Sequence, residues 1–458
     1  MTRSRSFAPL TPRPPAPGLP SVEAERSEDA PPSAEAERSE DRDPGLPIPS
    51  RTLLLLMAAS TGLSVAGNYI AQPLLELIAH DLGLTTTTAA LIVTMSQVGY
   101  AVGLLLLVPL GDLVERRGLA VALFAGTTVS LLASSVAPGG TVLLATTALT
   151  ALFSVAAQVV VPFAVTLATP ERRGRVVATV MSGLLLGSIL SRPVAGAIGE
   201  VAGWRAVYAV LAVGVAAIGA ALWRRLPRLR TPAAIRYPRL IGSTLALLVA
   251  QPVVRRRSVI GALSLASFNV FWTALTFLLA RRYGLSETVI GMFGLVGLAG
   301  VVATPIAGRL VDAGRLRTVT VGSAALLAGA WPMIALGGGS PAWLVAGALV
   351  LVVGQTALMN ANQNAVLGLD PALRNRVNSA FMTAFFAGGA LGSAATPLAW
   401  TLAGWPAVSA LGGALAAAAL ATAAATSSPG AAVRRRGWSL RRRRAGRAEP
   451  GSARTAPC

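Results

Sequence analysis

Residues 111–118 read GDLVERRG and place four charged residues, Asp112, Glu115, Arg116 and Arg117, between two long apolar segments. Only 13% of the 458 residues are charged, whereas 53% are hydrophobic. Apolar runs of about 18 residues or more with few charges are long enough to cross a bilayer as helices. The stretch is therefore interpreted as a tight turn at the membrane surface between two spanning helices.

The composition excludes several classes of chemistry. All 39 basic residues are arginine, and without lysine there is neither a phosphate-binding GxxxxGK[ST] loop nor a Schiff-base lysine. The single histidine (His80) and the single cysteine (Cys458) provide no metal cluster and no disulfide framework. One histidine near a helix end also supplies no acid–base pair inside a bilayer. We therefore expect no cofactor, no metal and no enzymatic activity.

Outside the turn, twelve apolar segments are predicted to cross the membrane. The even-numbered loops with their adjoining helix ends carry 19 arginines against 5 acids, and the odd-numbered ones carry 3 against 4. Basic loops stay in the cytoplasm, so a multi-pass protein of the inner (cell) membrane with both termini cytoplasmic is expected. The predicted spans are 52–73, 87–110, 118–137, 141–168, 175–198, 204–223, 258–280, 287–308, 318–337, 342–368, 376–400 and 404–426.

Three segments flank or divide the spans. Residues 1–51 contain the heptapeptide EAERSED twice and predict a disordered cytoplasmic tail, and residues 427–458 form a basic cytoplasmic tail. The linker 224–257 holds nine arginines and no acid. Its apolar part, 240–250, is too short to cross and predicts an amphipathic helix on the inner leaflet. The alternative, an extra span, would make thirteen and put the tails on opposite sides.

The net charge of +20 is explained by this distribution. Arginine concentrates in one set of loops and in the C-terminal tail, so anionic lipid headgroups are the expected partner, and not nucleic acid.

The two groups of six spans repeat. A shift of 201 residues aligns GWRAVYAV (203–210) with GWPAVSAL (404–411) and Met181 with Met382. The opening turn has a second copy, GRLVDAGR, at 308–315. Duplicated six-span units are one way to build a transporter with its substrate site between them.

The chain thus resembles the major facilitator superfamily over residues 52–426. That family carries Gly-x-Leu-x-acid-Arg-x-Gly between spans two and three, matched here by Gly111, Leu113, Glu115, Arg116 and Gly118. The stretches 68–79, 180–208 and 362–393 are similar to a bacterial branch of small-molecule and drug efflux carriers. The resemblance implies an all-α fold of two pseudo-symmetric six-helix bundles, 52–223 and 258–426.

The resemblance also implies a conformational latch. In the family, a charge cluster at this turn holds the two halves together in the outward-facing state and releases as they rock. Here the latch cluster would comprise Gly111, Asp112, Glu115, Arg116, Arg117 and Gly118, with Gly308, Asp312 and Arg315 in the second copy. The alternative is a solvated turn that obeys only the positive-inside rule.

Polar groups inside spans are costly and usually face the bundle interior. Arg192, in the fifth span, either binds an anionic substrate group or reaches the outer headgroups. Amides and aromatic residues of other spans predict a polar cavity wall, although each could bond a neighbouring helix instead. The cavity candidates are Asn68, Tyr69, Gln72, Gln97, Tyr100, Gln158, Arg192, Asn269, Trp272, Asn360, Gln363 and Asn364.

These features predict a monomeric secondary active transporter that moves a small organic solute, with proton-coupled efflux favoured. The candidates for proton coupling are Glu76, His80, Asp81 and Asp112. No carboxylate lies deep in any predicted span, and the family's proton-linked arginine in span four is missing, so a uniporter or importer stays open. A non-transporting membrane scaffold with interaction tails is the alternative of another class.

Overall fold

The computed structural model describes residues 50–169, 172–228, 237–369 and 373–426, so both predicted tails lie outside the described residues except at their borders. Within these ranges the regular structure is helical. The α-helices are α1 Arg51–Ala66, α2 Leu75–Asp81, α3 Thr86–Leu106, α4 Arg116–Ser135, α5 Gly140–Phe153, α6 Ala156–Thr166, α7 Arg173–Arg225, α8 Tyr237–Ala250, α9 Pro252–Arg281, α10 Glu287–Met292, α11 Leu298–Asp312, α12 Leu316–Leu336, α13 Pro341–Leu367 and α14 Arg374–Thr426.

Nine helical segments among the described residues are long and apolar enough to cross a membrane, compared with the twelve spans predicted. Two of them, α7 and α14, contain 53 residues each and each covers two predicted spans. In the first predicted span, 52–73, the helix α1 ends at Ala66 and is too short to count as a span, and a separate helix, α2, follows from Leu75.

Both long helices bend at a Gly-Trp pair. Gly203 in α7 has φ 80°, and Gly404 in α14 has φ 62°. Glycine adopts positive φ without the penalty that a Cβ imposes, so the chain turns there without a separate loop. The repeat seen in the sequence therefore places the same turn residue at the same point of each half.

The first predicted span is broken for a local reason. After α1 the chain forms a turn and a short 3₁₀ segment, Gln72–Leu74. α1 ends at Ala66 with Gly67 as its C-cap, and Pro73, which has no backbone N–H, lies in the first turn of the 3₁₀ segment, where that donor is not needed. The predicted boundary at residue 73 is therefore wrong, because the helical path resumes in α2 and ends at Asp81.

Glycines let several helices touch backbone to backbone. A Cβ added to Gly183 would overlap the carbonyl oxygen of Ala58, and one added to Gly187 would overlap that of Gly62. In the second half the equivalent Gly388 lies against the carbonyl of Ala262. These close approaches of the backbones fix α7 on α1 and α14 on α9.

The linker carries the helix that its sequence predicts. In α8, Leu240 and Thr244 are buried, at 5% and 1% exposure, and the Tyr237 hydroxyl donates to the carbonyl of Leu106 at 2.6 Å. One face of α8 therefore packs against α3 and its neighbours. Its position relative to lipid stays a prediction.

Replacing Gly187 with alanine tests the close crossing. The new methyl group has no space against Gly62, and overpacking of this kind costs about 1–3 kcal/mol. We expect Gly187→Ala to lower the melting temperature of the detergent-solubilised protein by several degrees in differential scanning fluorimetry.

Gly322→Ala is the matched control, since Gly322 lies inside α12 with nothing near its added Cβ. It should be neutral or stabilising. Equal losses in the two variants would contradict the packing argument.

Candidate functional site

A cavity of about 750 Å³ lies between the first half of the chain (residues 51–225) and the second half (residues 252–426). Its size is in the range of small-molecule sites. The structure brings together at its wall half of the predicted cavity residues, namely Tyr69, Gln97, Gln158, Asn269, Asn360 and Gln363.

The cavity extends to one end of the helices, here called the linker end. At this end it is bordered by Arg116, by Leu240 and Thr244 of α8, and by Arg374 of α14. The linker helix therefore forms part of the wall. The prediction that α8 lies on the inner leaflet does not by itself account for the position of Leu240 and Thr244 in the cavity wall.

The opposite end, which carries Glu76 and Arg281, is closed by contacts between the two halves. The Thr276 hydroxyl donates to the carbonyl of Gln72 at 2.7 Å. Arg281 Nε donates to Glu76 Oε1 at 3.0 Å, and the Thr288 amide donates to Glu200 at 3.1 Å. In the part of the chain that the structure describes, the cavity is therefore open at the linker end and closed at the opposite end.

Arg192 lies at this closed end and is 7% exposed. Its Nε donates to Gln72 Oε1 at 2.7 Å, and its Nη1 donates to the carbonyl of Ser188 at 2.9 Å. The guanidinium carbon is 4.4 Å from the ring centre of Tyr69 and 4.3 Å from that of Trp272. Because Trp272 belongs to the second half, this stack also joins the halves. Arg192 thus lies behind Tyr69, which borders the cavity, and is not itself a lining residue.

The remaining cavity candidates do not border the cavity. Asn68 Oδ1 accepts from Ser96 at 3.3 Å, so it bonds a neighbouring helix. Tyr100 packs on Phe386 with ring centres 4.4 Å apart. Asn364 is exposed and donates to Asn360 at 2.8 Å. Gln72 accepts a hydrogen bond from Arg192, and the ring of Trp272 stacks on the guanidinium of Arg192.

The first copy of the latch cluster lies beside the cavity mouth. Gly111 and Arg116 both border the cavity, and Arg116 Nε donates to the carbonyl of Gly111 at 3.2 Å. Glu115 precedes α4 as its N-cap, followed by Arg117 and Gly118 in the first turn. The second copy is less enclosed, because an added Cβ on Gly308 meets nothing and Asp312 and Arg315 are exposed. Whether these residues act as a latch stays a prediction.

Three of the four proton-coupling candidates, Glu76, His80 and Asp81, lie at the opposite end and outside the cavity. The backbone of the fourth, Asp112, follows Gly111 at the linker end, and its side chain lies outside the described structure. Glu76 pairs with Arg281, and His80 is exposed. Asp81 accepts from the indole N–H of Trp204 at 2.9 Å and pairs with Arg205. These two donors lower the pKa of the Asp81 carboxyl below its ordinary value, so this group is ionised at neutral pH.

The wall also contains residues that the sequence reasoning missed. Gln355 is 5% exposed, borders the cavity, and neither atom of its amide has a hydrogen-bond partner in the structure. The spacing of Gln355, Met359 and Gln363 puts them on one helix face, which was an available signal. Phe385 and Phe386 also border the cavity, and nothing in the sequence distinguishes these apolar residues from core phenylalanine.

Reversing one charge of the Glu76–Arg281 pair should loosen the closed end. Exposed pairs contribute about 0–1 kcal/mol, so Glu76→Arg should speed labelling of a buried cysteine there by up to about fivefold. The reporter is Ala195→Cys in a Cys458→Ser background, since Ala195 is 1% exposed. A membrane-impermeant maleimide measures the rate.

Adding Arg281→Glu to Glu76→Arg should restore slow labelling, while adding Arg282→Glu at the exposed neighbour should not. Equal rescue by both would mean that net charge, and not this pair, controls access.

Comparison with known proteins agrees with this architecture. The sequence pattern described as Major Facilitator Superfamily matches residues 57–393 and 257–448. The uncharacterized transporter YgaY of Escherichia coli O157:H7 is 41% identical over 368 residues, which cover 80% of this chain and 93% of YgaY. A chloramphenicol resistance protein of Streptomyces lividans is 27% identical over 327 residues, covering 68% of this chain and 80% of that protein.

The fold is also that of a solved structure, a POT family transporter in complex with a thioalcohol-conjugated peptide. The TM-score is 0.68 at 14% identity, and the match covers 82% of this chain and 95% of that one. The transporter relatives indicate a membrane transporter and not an enzyme. On the match of sequence pattern, relatives and fold, the chain belongs to the Major Facilitator Superfamily.

Proposed function

We propose that this protein is a twelve-span secondary active transporter of the inner membrane that moves a small organic solute by alternating access. The observation that carries the proposal is a cavity between the two halves that is open at one end and closed at the other by contacts between those halves. Such a cavity binds solute from one side only, and rocking of the halves would present it to the other side.

Two bundles of six spans are part of the proposal. At about 1.5 Å per residue, a 53-residue helix is far longer than a bilayer core of about 30 Å, so α7 and α14 would each cross twice, turning at Gly203 and Gly404. The repeat supports the pairing of the bundles, because Met181 and Met382, matched in the repeat, both border the cavity.

The linker end is proposed to face the cytoplasm. It carries the arginine-rich loops, which remain on the cytoplasmic side of membranes. In this orientation the structure is inward-facing, and the latch cluster would be released here and would close on the second half in the outward-facing state.

Export is the proposed direction, and the chloramphenicol resistance relatives support it. Proton coupling is proposed with it, although Glu76 and Asp81 lie at the opposite end and do not border the cavity; the side chain of Asp112, at the linker end, lies outside the described structure. A uniporter needs no such group and is the second candidate. The scaffold alternative predicts no flux at all.

Transport in proteoliposomes tests the proposal. A panel of labelled aromatic solutes of each charge, chloramphenicol included, is loaded and an outward or inward pH gradient is imposed. We expect saturable flux of at least one solute that responds to the gradient. Saturable flux that is identical in every gradient would refute proton coupling and favour a uniporter. Absence of any flux would contradict the proposal that the protein is a transporter.

The side-chain amide of Gln355, in the cavity wall, should affect the transport rate in the same assay. Gln355→Ala removes a buried donor and acceptor from the cavity, and loss of one such hydrogen bond costs about 0.5–1.5 kcal/mol, a fall in transport rate of up to about tenfold. The matched control is Gln251→Ala, an exposed amide just before α9 and outside the cavity. Equal losses would place the effect outside the cavity.

Reporter fusions at the two ends test the twelve-span topology. A reporter active only in the cytoplasm should work at both the N- and the C-terminus. Activity at one terminus alone would favour the thirteen-span alternative, in which α8 crosses the membrane.

A further inference from the structure

The charges around the cavity have one sign. Among its lining residues that the structure describes, every charged one is an arginine: Arg116, Arg374 and Arg376. The described part of the wall contains no carboxylate that could pair with a cationic solute. The charged side chains that the structure describes in this wall are therefore suited to an anionic group of a solute.

The inner end of the cavity has the same sign. Arg192 lies directly behind Tyr69, which borders the cavity, with its guanidinium carbon 4.4 Å from the ring centre. Its hydrogen-bond acceptors are the neutral amide of Gln72 and the neutral carbonyl of Ser188. Neutral ligands orient the guanidinium but leave its charge uncompensated, and the field of a buried charge is screened far less than that of a surface charge.

The rest of the wall fits a flat apolar body with polar edges. Phe268, Phe385 and Phe386 supply aromatic surface, and Met382 supplies an adaptable thioether. Gln97 and Gln355 are 3% and 5% exposed, and each has a buried amide atom with no partner in the protein. Buried polar atoms are normally hydrogen-bonded, so these amides point to a ligand that bonds them.

We propose that the solute carried by this cavity is an aromatic organic anion, a flat apolar body with one carboxylate or equivalent acidic group. This inference rests on the proposed function and names the substrate class of that same site. The acidic group lies at the Arg192 end and the ring lies among the phenylalanines. When the opposite end opens, Trp272 moves away with the second half and leaves its face of Arg192 to the anion.

Binding of three probes of one shape tests the charge preference. The probes are 1-naphthoate, 1-naphthamide and 1-naphthylmethylammonium, measured by calorimetry on the full chain in nanodiscs at low and at physiological salt. We expect naphthoate to bind about tenfold more tightly than the amide and the ammonium to bind most weakly. Comparable affinity of naphthoate and amide, preference for the ammonium, or no binding of naphthoate at millimolar concentration would each overturn the proposal.

Arg192 variants identify the source of the preference. Arg192→Gln should reduce naphthoate affinity about tenfold and leave naphthamide within twofold, whereas Arg192→Lys should keep the order of the probes. Arg282→Gln, which removes an exposed charge from the opposite end, is the control and should change nothing. An equal loss for all three probes in Arg192→Gln would show a structural effect and contradict the assignment.

The two proposals fail separately. Flux in proteoliposomes, together with equal binding of the anionic, neutral and cationic probes, would refute the proposed substrate class but not the proposed transport function. Tighter binding of the anionic probe without flux of any solute would refute the proposed transport function but not the proposed anion site.

Discussion

A guanidinium buried inside a membrane protein must find its ligands within the protein, and the closed end of this molecule is built around that requirement. Placing an arginine at mid-helix costs about 2.5–3.5 kcal/mol on insertion scales. Arg192 offsets this cost with the amide of Gln72, the carbonyl of Ser188 and the faces of Tyr69 and Trp272. Only Trp272 comes from the second half, so separating the halves at this end removes one face of the stack and leaves the hydrogen bonds intact.

The sequence predicts those parts of the fold that depend on backbone geometry. A repeated Gly-Trp pair gives a positive φ at Gly203 and at Gly404, and glycines four residues apart give the backbone contacts of Gly183 and Gly187. Glycine is needed at such points because any Cβ would clash or strain the chain. These residues therefore signal their structure locally, and the matching of the halves could be inferred without knowledge of the fold.

Other features could not be inferred, because they depend on partners distant in the sequence. Arg192 was predicted either to bind an anionic substrate group or to reach the headgroups, and nothing in the sequence indicated that Trp272, 80 residues away, covers one face of its guanidinium. The aromatic part of the wall, Phe385 and Phe386, is chemically no different from core phenylalanine. Apolar residues show their role only when the helices are assembled around a cavity.

Coupling requires a group whose surroundings change between the two states. Of the described proton-coupling candidates, Asp81 bonds Trp204 and Arg205, which belong to its own half and move with it. Glu76 instead pairs with Arg281 of the second half, so opening of that end removes its cationic partner. Glu76 is therefore the described candidate whose environment follows the rocking motion. An anionic solute beside Arg192 would act on the same interface, because both the ion pair and the Trp272 stack exist only while this end is closed.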